Sequence, residues 1–198
     1  MEIRVSVAEL SRALGMVQGI VQRKNTMPIL SNVLLEAKTA PEAELHICAT
    51  DLDVSVRTHL PCEVMGAGAV TILARALLDM VKVLPGPDVT LQRLANQQVE
   101  VKSGRTQAKL LALSADEFPR LPDHAGMPFV SLRAKTLAQM IHKTLYCVST
   151  DETRFNLTGV YLESGKDETL TMVATDGHRL SRISQRFDGL KSSWERPV

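Results

Sequence analysis

The chain has 198 residues, 44% of them hydrophobic, and a formal net charge of +1. This composition excludes a disordered chain, and a membrane-spanning helix is excluded because no apolar run approaches the roughly 18 residues that one requires. Cys48, Cys62 and Cys147 lie far apart without a paired spacing and the N-terminus has no apolar signal core, so we predict a cytoplasmic protein with no disulfide framework, no zinc site and no cofactor.

The predicted elements form three similar modules, each of which starts with a short strand and a helix. Apolar residues recur at helical spacing within residues 8–24, 73–84 and 132–148. The three stripes are Leu10, Leu14, Val17 and Val21; Leu77, Met80, Val81 and Leu84; and Leu137, Ile141 and Leu145. Three alternating strands follow each helix, and "GAGAV" at 66–70 is predicted as a hairpin turn. The sequence therefore predicts an α+β fold of repeated βαβββ modules, with the helices on one face of antiparallel sheets.

Internal repeats predict the domain organisation. The segment "TILARALLDMV" at 71–81 aligns without gaps on "SLRAKTLAQMI" at 131–141. The first module resembles the third most, since "ILSNVLLEA" and "ELHICATD" correspond to "NLTGVYLES" and "TLTMVATD". We therefore expect a two-module domain at 1–120, a proline-containing linker at 121–128, and the first half of a second domain at 129–198.

The repeated turn in "CATDLDVSV" and "VATDGHRLS" raises the question of catalysis, because its second copy holds Asp176 and His178. An enzyme would also need a nucleophile within reach, and Ser181 lies in a predicted strand without a nucleophile elbow. A structural turn is the preferred interpretation, in which Asp176 accepts backbone N–H groups and Gly177 adopts a positive φ. An enzyme that uses Asp176 and His178 remains the alternative, and it would lose turnover when His178 is replaced.

The charges are unevenly distributed between helices and strands. The three helical stretches contain eight basic residues and two acidic ones, which leaves the remaining segments net acidic. Helices on one side of a sheet would present a positive face suited to the phosphates of duplex DNA. Aromatic residues make up only 4% and no base-reading motif is present, so we expect binding without sequence preference. The alternative is that these cations are only the solvated face of amphipathic helices.

Several motifs resemble those of one family. "TMPILSNVLLE", "SGRTQAKLLALSADEFPRL" followed by "PDHAG", and "VATDGHRLS" resemble the bacterial DNA polymerase III beta subunit, the replicative sliding clamp. The resemblance runs over the whole chain but matches only the first domain and about half of the second. It implies a DNA-clamp fold and a non-catalytic processivity factor that encircles duplex DNA as a head-to-tail homodimeric ring. The implied partners are the DNA polymerase III alpha subunit, the clamp loader and other proteins with a clamp-binding motif.

The resemblance also implies site residues. For DNA it suggests Lys24, Arg75, Lys82, Arg154 and Phe155, to which helix phase adds Lys135 and Lys143. For the peptide pocket of partner proteins it suggests Leu157, Thr175, Gly177, His178, Arg179 and Leu180. For the ring interface it suggests Arg105, Gln107 and Leu110 on one edge strand, where an ordinary protected edge is the alternative. For the whole chain, the alternative is a monomeric clamp-derived DNA-binding or regulatory module.

Overall fold

The computed structural model describes residues 1–21, 27–121, 130–165, 167–188 and 190. The chain divides into two compact units, residues 1–123 and 124–198. No helix within the described ranges is long and apolar enough to cross a bilayer.

The first unit alternates strands and helices as two successive modules. Its elements are β1 (Glu2–Ser6), α1 (Val7–Val17), β2 (Asn32–Lys38), β3 (Glu44–Thr50), β4 (Ser55–Pro61), β5 (Glu63–Gly66), β6 (Gly68–Leu73), α2 (Ala74–Lys82), β7 (Asp88–Arg93), β8 (Gln98–Ser103) and β9 (Thr106–Leu113). Antiparallel pairing joins these strands in the order β4-β3-β2-β6-β9-β8-β7-β1-β5. The predicted α+β class of antiparallel sheets and helices is confirmed.

Helices α1 and α2 pack against each other and share one apolar core with the sheet. Helix α1 starts at Ser6, whose Oγ accepts the backbone N–H of Glu9 at 3.4 Å. The predicted stripes are confirmed in both helices, since Leu10 and Leu14 of α1 and Leu77 of α2 are fully buried. Helix α1 ends at Val17, well before the predicted boundary at 24, in a turn that contains the poor helix former Gly19.

The predicted hairpin at 66–70 is wrong. Strands β5 and β6 flank this segment, but β5 pairs with β1 whereas β6 pairs with β2 and β9. The segment carries the chain from one part of the sheet to another. Gly68 has a φ of +148°, and a Cβ there would lie 3.4 Å from atoms of Met1, so the crossing favours glycine.

The second unit contains α3 (Ala134–Thr144), β10 (Tyr161–Ser164), β11 (Thr169–Thr175) and β12 (Leu180–Arg186). The three strands form one antiparallel sheet in the order β10-β11-β12. The predicted strand at 130–132 is absent from the described residues. In the first unit, β1 and β6 each pair with strands on both sides, and the described residues of the second unit provide no such partner.

The predicted apolar stripe of α3 is confirmed at Leu137, which packs against the core, but is wrong at Ile141 and Leu145. Met140 and Thr144 are buried, whereas Ile141 and Leu145 are 40% and 57% exposed. Thr144 tolerates burial because its Oγ1 donates to the carbonyl oxygen of Met140 at 3.0 Å. Helix α3 contacts β11 and β12 on one side, so the sheet selects which of its residues are buried.

The three cysteines are free thiols. Cys48 and Cys147 are buried and Cys62 is half-buried, as expected for core or near-core positions. Burial raises the pKa of Cys48 and of Cys62, which keeps both thiols protonated near neutral pH.

Candidate functional site

A groove of about 670 Å³ runs between α1 and α2 on the surface of the first unit. Its lining includes Gly15, Gly19, Arg75, Asp79 and Lys82, which together define the helix groove. Arg75 and Lys82 lie two turns apart on α2 and therefore share its exposed face. Their side chains are available to an anionic ligand at this surface.

Arg75 forms an ion pair inside the helix groove. Its Nε lies 3.2 Å from Oδ2 of Asp79, one turn later on α2, and both side chains are 57% exposed. Lys82 has no carboxylate within 4.0 Å among the described residues. The two cations predicted on α2 therefore differ, because one is held by a carboxylate and the other is not.

The two lysines of α3 that are predicted to contact DNA do not line the helix groove. Lys135 and Lys143 are exposed on α3, where Lys143 also accepts the hydroxyl of Ser181 at its carbonyl oxygen, 2.6 Å away. Lys24 lies outside the described residues.

Arg154 and Phe155 lie in a 3₁₀ segment, Glu152–Leu157, whose first turn Asp151 caps. Hydrogen bonds from the side chain and the backbone N–H of Thr153 lower the pKa of Asp151. Oδ2 of Asp151 lies 3.6 Å from Nε of Arg154, and the Phe155 ring is 83% exposed. The segment presents one restrained cation and one open aromatic face.

The turn at 175–179 is fixed by its own side chains. Asp176 Oδ1 accepts the backbone N–H groups of His178 and Arg179, each at 2.9 Å. These bonds, with a 2.8 Å ion pair to Arg179 Nε, lower the pKa of Asp176 to about 2. Thr175 Oγ1 donates to the carbonyl oxygen of Arg179 at 2.7 Å and accepts the N–H of Gly177 at 3.1 Å. The expected structural role of Asp176 is confirmed by these contacts.

The first copy of the turn, at 50–54, has the same hydrogen bonds. Asp51 Oδ1 accepts the N–H groups of Asp53 and Val54 at 3.1 and 2.7 Å. Thr50 Oγ1 donates to Val54 O at 3.1 Å and accepts the N–H of Leu52 at 3.1 Å. Leu52 has a φ of +82°, where Gly177 of the second copy has +90°. The Ala-Thr-Asp repeat therefore encodes one turn geometry, independently of His178.

Four of the six residues predicted for peptide binding line two separate clefts. Leu157 and Thr175 line an apolar cleft of about 240 Å³ together with Tyr161 and Val173, which sequence reasoning missed. Tyr161 and Val173 face each other across the β10–β11 pair, and only the strand register reveals this proximity. This apolar cleft can accept a hydrophobic side chain.

The second cleft is polar and measures about 280 Å³. Its lining includes Arg154, Asp176, His178 and Arg179, so a predicted DNA residue joins two predicted peptide residues. A Cβ on Gly177 would lie 3.2 Å from Nη1 of Arg154. Arg154 therefore packs over the turn, and glycine permits this approach.

Two residues predicted for peptide binding, Gly177 and Leu180, lie outside the linings of both clefts. Leu180 is 64% exposed and lines neither cleft. The guanidinium of Arg179 lies 5.8 Å from the ring centroid of Tyr146, within the range of a cation–π contact.

Strand β9 has one open side over most of its length. It pairs with β8 from Thr106 to Leu111, but with β6 only at Ala112 and Leu113. Backbone groups at 106–111 therefore have one unpaired edge among the described residues, as an interface strand requires.

The three residues predicted for the ring interface have different environments. Arg105 lies in the turn before β9, and Gln107 is exposed and donates to Glu100. Leu110 faces inward and packs against the core, while its neighbour Leu111 is 78% exposed. Strand alternation could have identified Leu111 as the outward apolar residue.

The comparison with protein families follows the two units of the chain. The family model described as "DNA polymerase III beta subunit, N-terminal domain" matches residues 1–122, and the one for the central domain matches residues 131–193. The chain belongs to the DNA polymerase III beta subunit family. The resemblance expected from the motifs is confirmed.

Curated relatives of this beta subunit family extend well beyond the matched region. The beta sliding clamp of Caulobacter vibrioides is 36% identical over 186 residues, which cover 91% of this chain and 49% of the relative. The beta sliding clamp of Chlamydia muridarum is 33% identical over 183 residues, with 92% and 49% covered. The chain thus spans about half the length of the curated relatives it matches.

Solved beta subunits have the same fold. A crystal structure of the Caulobacter crescentus beta sliding clamp matches with a TM-score of 0.90 and 32% identity, covering 100% of this chain and 53% of that chain. The Bacillus subtilis sliding clamp matches with a TM-score of 0.91 and 26% identity, covering 100% and 52%. The predicted DNA-clamp fold is confirmed.

Two of the three residues weighed for catalysis, Asp176 and Ser181, have side chains engaged in structural contacts. The carboxylate of Asp176 is bonded to the turn, and the hydroxyl of Ser181 is bonded to the carbonyl oxygen of Lys143. The described residues contain no group of three or more His, Cys, Asp or Glu side chains placed to hold a metal ion. The turn is arranged as a rigid surface feature.

Proposed function

We propose that this chain forms part of a non-catalytic processivity factor that encircles duplex DNA as a homodimeric ring and tethers the replicative polymerase. The observation that carries the proposal is the clamp fold over the whole chain together with the basic face of α2 at the helix groove. Because the chain spans about half of its relatives, the activity belongs to a longer assembly.

The proposed domain organisation follows the repeats. Residues 1–120 form the first clamp domain, 121–128 the linker, and 129–198 the first half of the second domain. The matched family ranges and the two compact units support this division. We place the protein in the cytoplasm, where the chromosome of a bacterium lies.

The proposed DNA contact uses phosphates instead of base edges. Arg75 and Lys82 are its best supported members, because both line one exposed groove. Lys135 and Lys143 on α3, with Arg154 and its neighbour Phe155, form a second set of exposed candidates. Lys24 stays a prediction. Guanidinium and ammonium groups bind phosphate oxygens irrespective of the base sequence, so the ring is free to occupy any duplex.

The proposed peptide contact uses the two clefts beside the turn at 175–179. The apolar cleft at Leu157 and Thr175 suits one hydrophobic anchor of an extended peptide, and such anchors dominate affinity. The polar cleft at His178 and Arg179 suits the peptide backbone or an acidic neighbour, and Gly177 leaves room for Arg154 against the turn. Proposed partners are the DNA polymerase III alpha subunit, the clamp loader and other proteins with the clamp-binding motif.

The proposed ring contact uses the open edge of β9. An antiparallel strand from a neighbouring subunit would satisfy the unpaired backbone groups at 106–111. Arg105 and Gln107 flank this edge, and Leu111 replaces Leu110 as the apolar residue that meets the neighbour, because Leu110 packs inward.

Topological linkage to DNA is the direct test. The experiment uses a protein that starts with these residues and extends to the length of its relatives, loaded onto a labelled circular duplex. A ring is retained on the circle and lost after one double-strand cut. Retention after the cut contradicts encirclement and favours the monomeric DNA-binding module.

A further inference from the structure

Local aspartates hold the arginines that line the proposed contact surfaces. The pairs are Arg75–Asp79 at 3.2 Å, Arg154–Asp151 at 3.6 Å and Arg179–Asp176 at 2.8 Å. In each pair the two residues are three or four positions apart, so the contact forms without any distant part of the fold. The pair in the helix groove differs from the others, because Asp79 neither caps a turn nor accepts a backbone N–H among the described hydrogen bonds.

We propose that Asp79 is a built-in competitor for the guanidinium of Arg75, and that it keeps the affinity of the helix groove for DNA phosphate low. The inference rests on the proposed function of the α2 face. It adds a residue that regulates the contact, as opposed to another cation that makes it.

The competition follows from the chemistry of the two anions. A carboxylate and a phosphate both accept N–H groups from the planar guanidinium, so a phosphate that binds the edge containing Nε of Arg75 must displace Asp79 from it. Both side chains of the pair are exposed to solvent. An exposed ion pair between residues one helical turn apart is weak enough for a phosphate to displace the carboxylate. Asp79 therefore lowers the affinity without preventing contact.

The position of Asp79 adds a second effect. It lies between Arg75 and Lys82 along α2 and lines the same groove, so its charge also opposes an approaching phosphate. A protein that must move along duplex DNA needs phosphate contacts that form and break readily. Partial neutralisation of the groove serves that requirement.

The first unit contains a matched control pair. Arg4 Nη2 lies 2.8 Å from Asp88 Oδ2, and both side chains are substantially exposed. Arg4 lies between the buried residues Ile3 and Val5 of β1, so it points to the sheet face opposite the helices. Asp88→Asn releases an arginine and changes the net charge as Asp79→Asn does, but away from the helix groove.

The experiment measures affinity for a short labelled duplex by fluorescence anisotropy, using this chain and four variants. The variants are Asp79→Asn, Asp88→Asn, Arg75→Ala and the double variant Arg75→Ala/Asp79→Asn. We expect Asp79→Asn to tighten binding about two- to fivefold at low salt, because loss of an exposed ion pair changes an equilibrium constant by about that factor. The gain should be smaller at higher salt, where the pair is screened. Asp88→Asn should leave the affinity unchanged, and circular dichroism melting checks that all variants fold.

The double variant separates the possible outcomes. If Asp79 acts through Arg75, Asp79→Asn tightens binding clearly less once Arg75 is removed, because only the repulsion by its own charge is then relieved. An equal gain in the presence and absence of Arg75 would overturn the inference, because it indicates general repulsion alone. If Arg75→Ala weakens binding but Asp79→Asn does not strengthen it, the competitor fails while the DNA contact stands. If Arg75→Ala changes nothing, the proposed DNA face itself is wrong.

Discussion

At the scale of single residues, the two Ala-Thr-Asp turns differ at one position with a positive φ. Leu52 occupies it in the first copy and Gly177 in the second. A left-handed conformation costs a residue with a Cβ roughly 1–2 kcal/mol, whereas glycine adopts it freely. The same backbone is therefore strained at 52 and relaxed at 177.

This difference predicts opposite effects of two substitutions. Leu52→Gly should stabilise the chain by roughly 0.5–1 kcal/mol after the entropy cost of glycine, because Leu52 is exposed and loses little packing. Gly177→Ala should destabilise it by about 1–2 kcal/mol, since its Cβ also approaches Arg154. Chemical denaturation of both variants measures the signs, and two changes of the same sign would refute the shared geometry.

The carboxylate of Asp176 predicts a pH dependence. Its pKa in the folded chain is about 2, below the ordinary value near 3.9 of an unfolded chain, so its stabilising contribution is complete above about pH 4 and is lost as the pH falls toward 2. Asp176→Asn keeps an acceptor for the N–H groups of His178 and Arg179 but removes the charge.

Thermal melting of both proteins between pH 6 and 2 tests this point. The advantage of the parent chain over Asp176→Asn should shrink below about pH 4. An advantage that stays constant down to pH 2, or a carboxyl titration by NMR with a midpoint near 4, would contradict the low pKa.

At the scale of elements, two phenylalanines differ in burial, and we expect one to stabilise the fold and the other to contact a ligand. Phe118 is buried in a small cluster with Ile29, Leu30 and Cys48, while Phe155 is exposed. We expect Phe118→Ala to lower the free energy of unfolding by about 3–5 kcal/mol. We expect Phe155→Ala to change it by less than about 0.5 kcal/mol.

Phe155→Ala should instead weaken binding of single-stranded DNA, where an exposed ring stacks on a base. A loss of about 1–3 kcal/mol is expected from removal of one stacking partner. Anisotropy with a labelled oligonucleotide measures it, and unchanged affinity would remove Phe155 from the DNA surface.

Helical periodicity predicted α1 and α2 well, because both helices pack on a neighbouring helix and a sheet that bury the expected stripe. It was only partly right for α3, where the sheet buries Met140 and Thr144 and leaves Ile141 exposed. The existence of a helix depends on local pattern, but its buried face depends on what packs against it. The route of the chain through Gly66–Gly68 was missed for a similar reason, since pairing partners are not encoded locally.

The proposed contact surfaces were likewise predictable only where their contacts are local in sequence. The repeated turn was visible in the sequence, because Thr and Asp side chains bond to backbone only two to four residues away. The lining of the apolar cleft was predicted only in part. Leu157 was predicted, but Tyr161 and Val173 were not, because strand register brings them together. Asp79 was visible as an acid on a basic helix, but its contact with Arg75 required the structure.

At the scale of the whole molecule, the proposed function requires a positive helical face and a sheet face that contributes nothing to DNA binding. The net charge of +1 cannot produce general attraction to a polyanion, so any affinity must come from where the cations lie. Arg75 and Lys82 on α2 and Arg4 on the opposite face of the sheet therefore offer a direct comparison.

The deciding measurement is the salt dependence of duplex binding for the parent chain, Arg75→Ala/Lys82→Ala and Arg4→Ala. Each lost phosphate contact reduces the magnitude of the negative slope of log affinity against log salt by about 1. The magnitude should therefore fall by about 2 in the double variant. Arg4→Ala should leave the slope unchanged. An unchanged slope in the double variant, or an equal loss per residue in Arg4→Ala, would contradict a DNA contact made by the helical face.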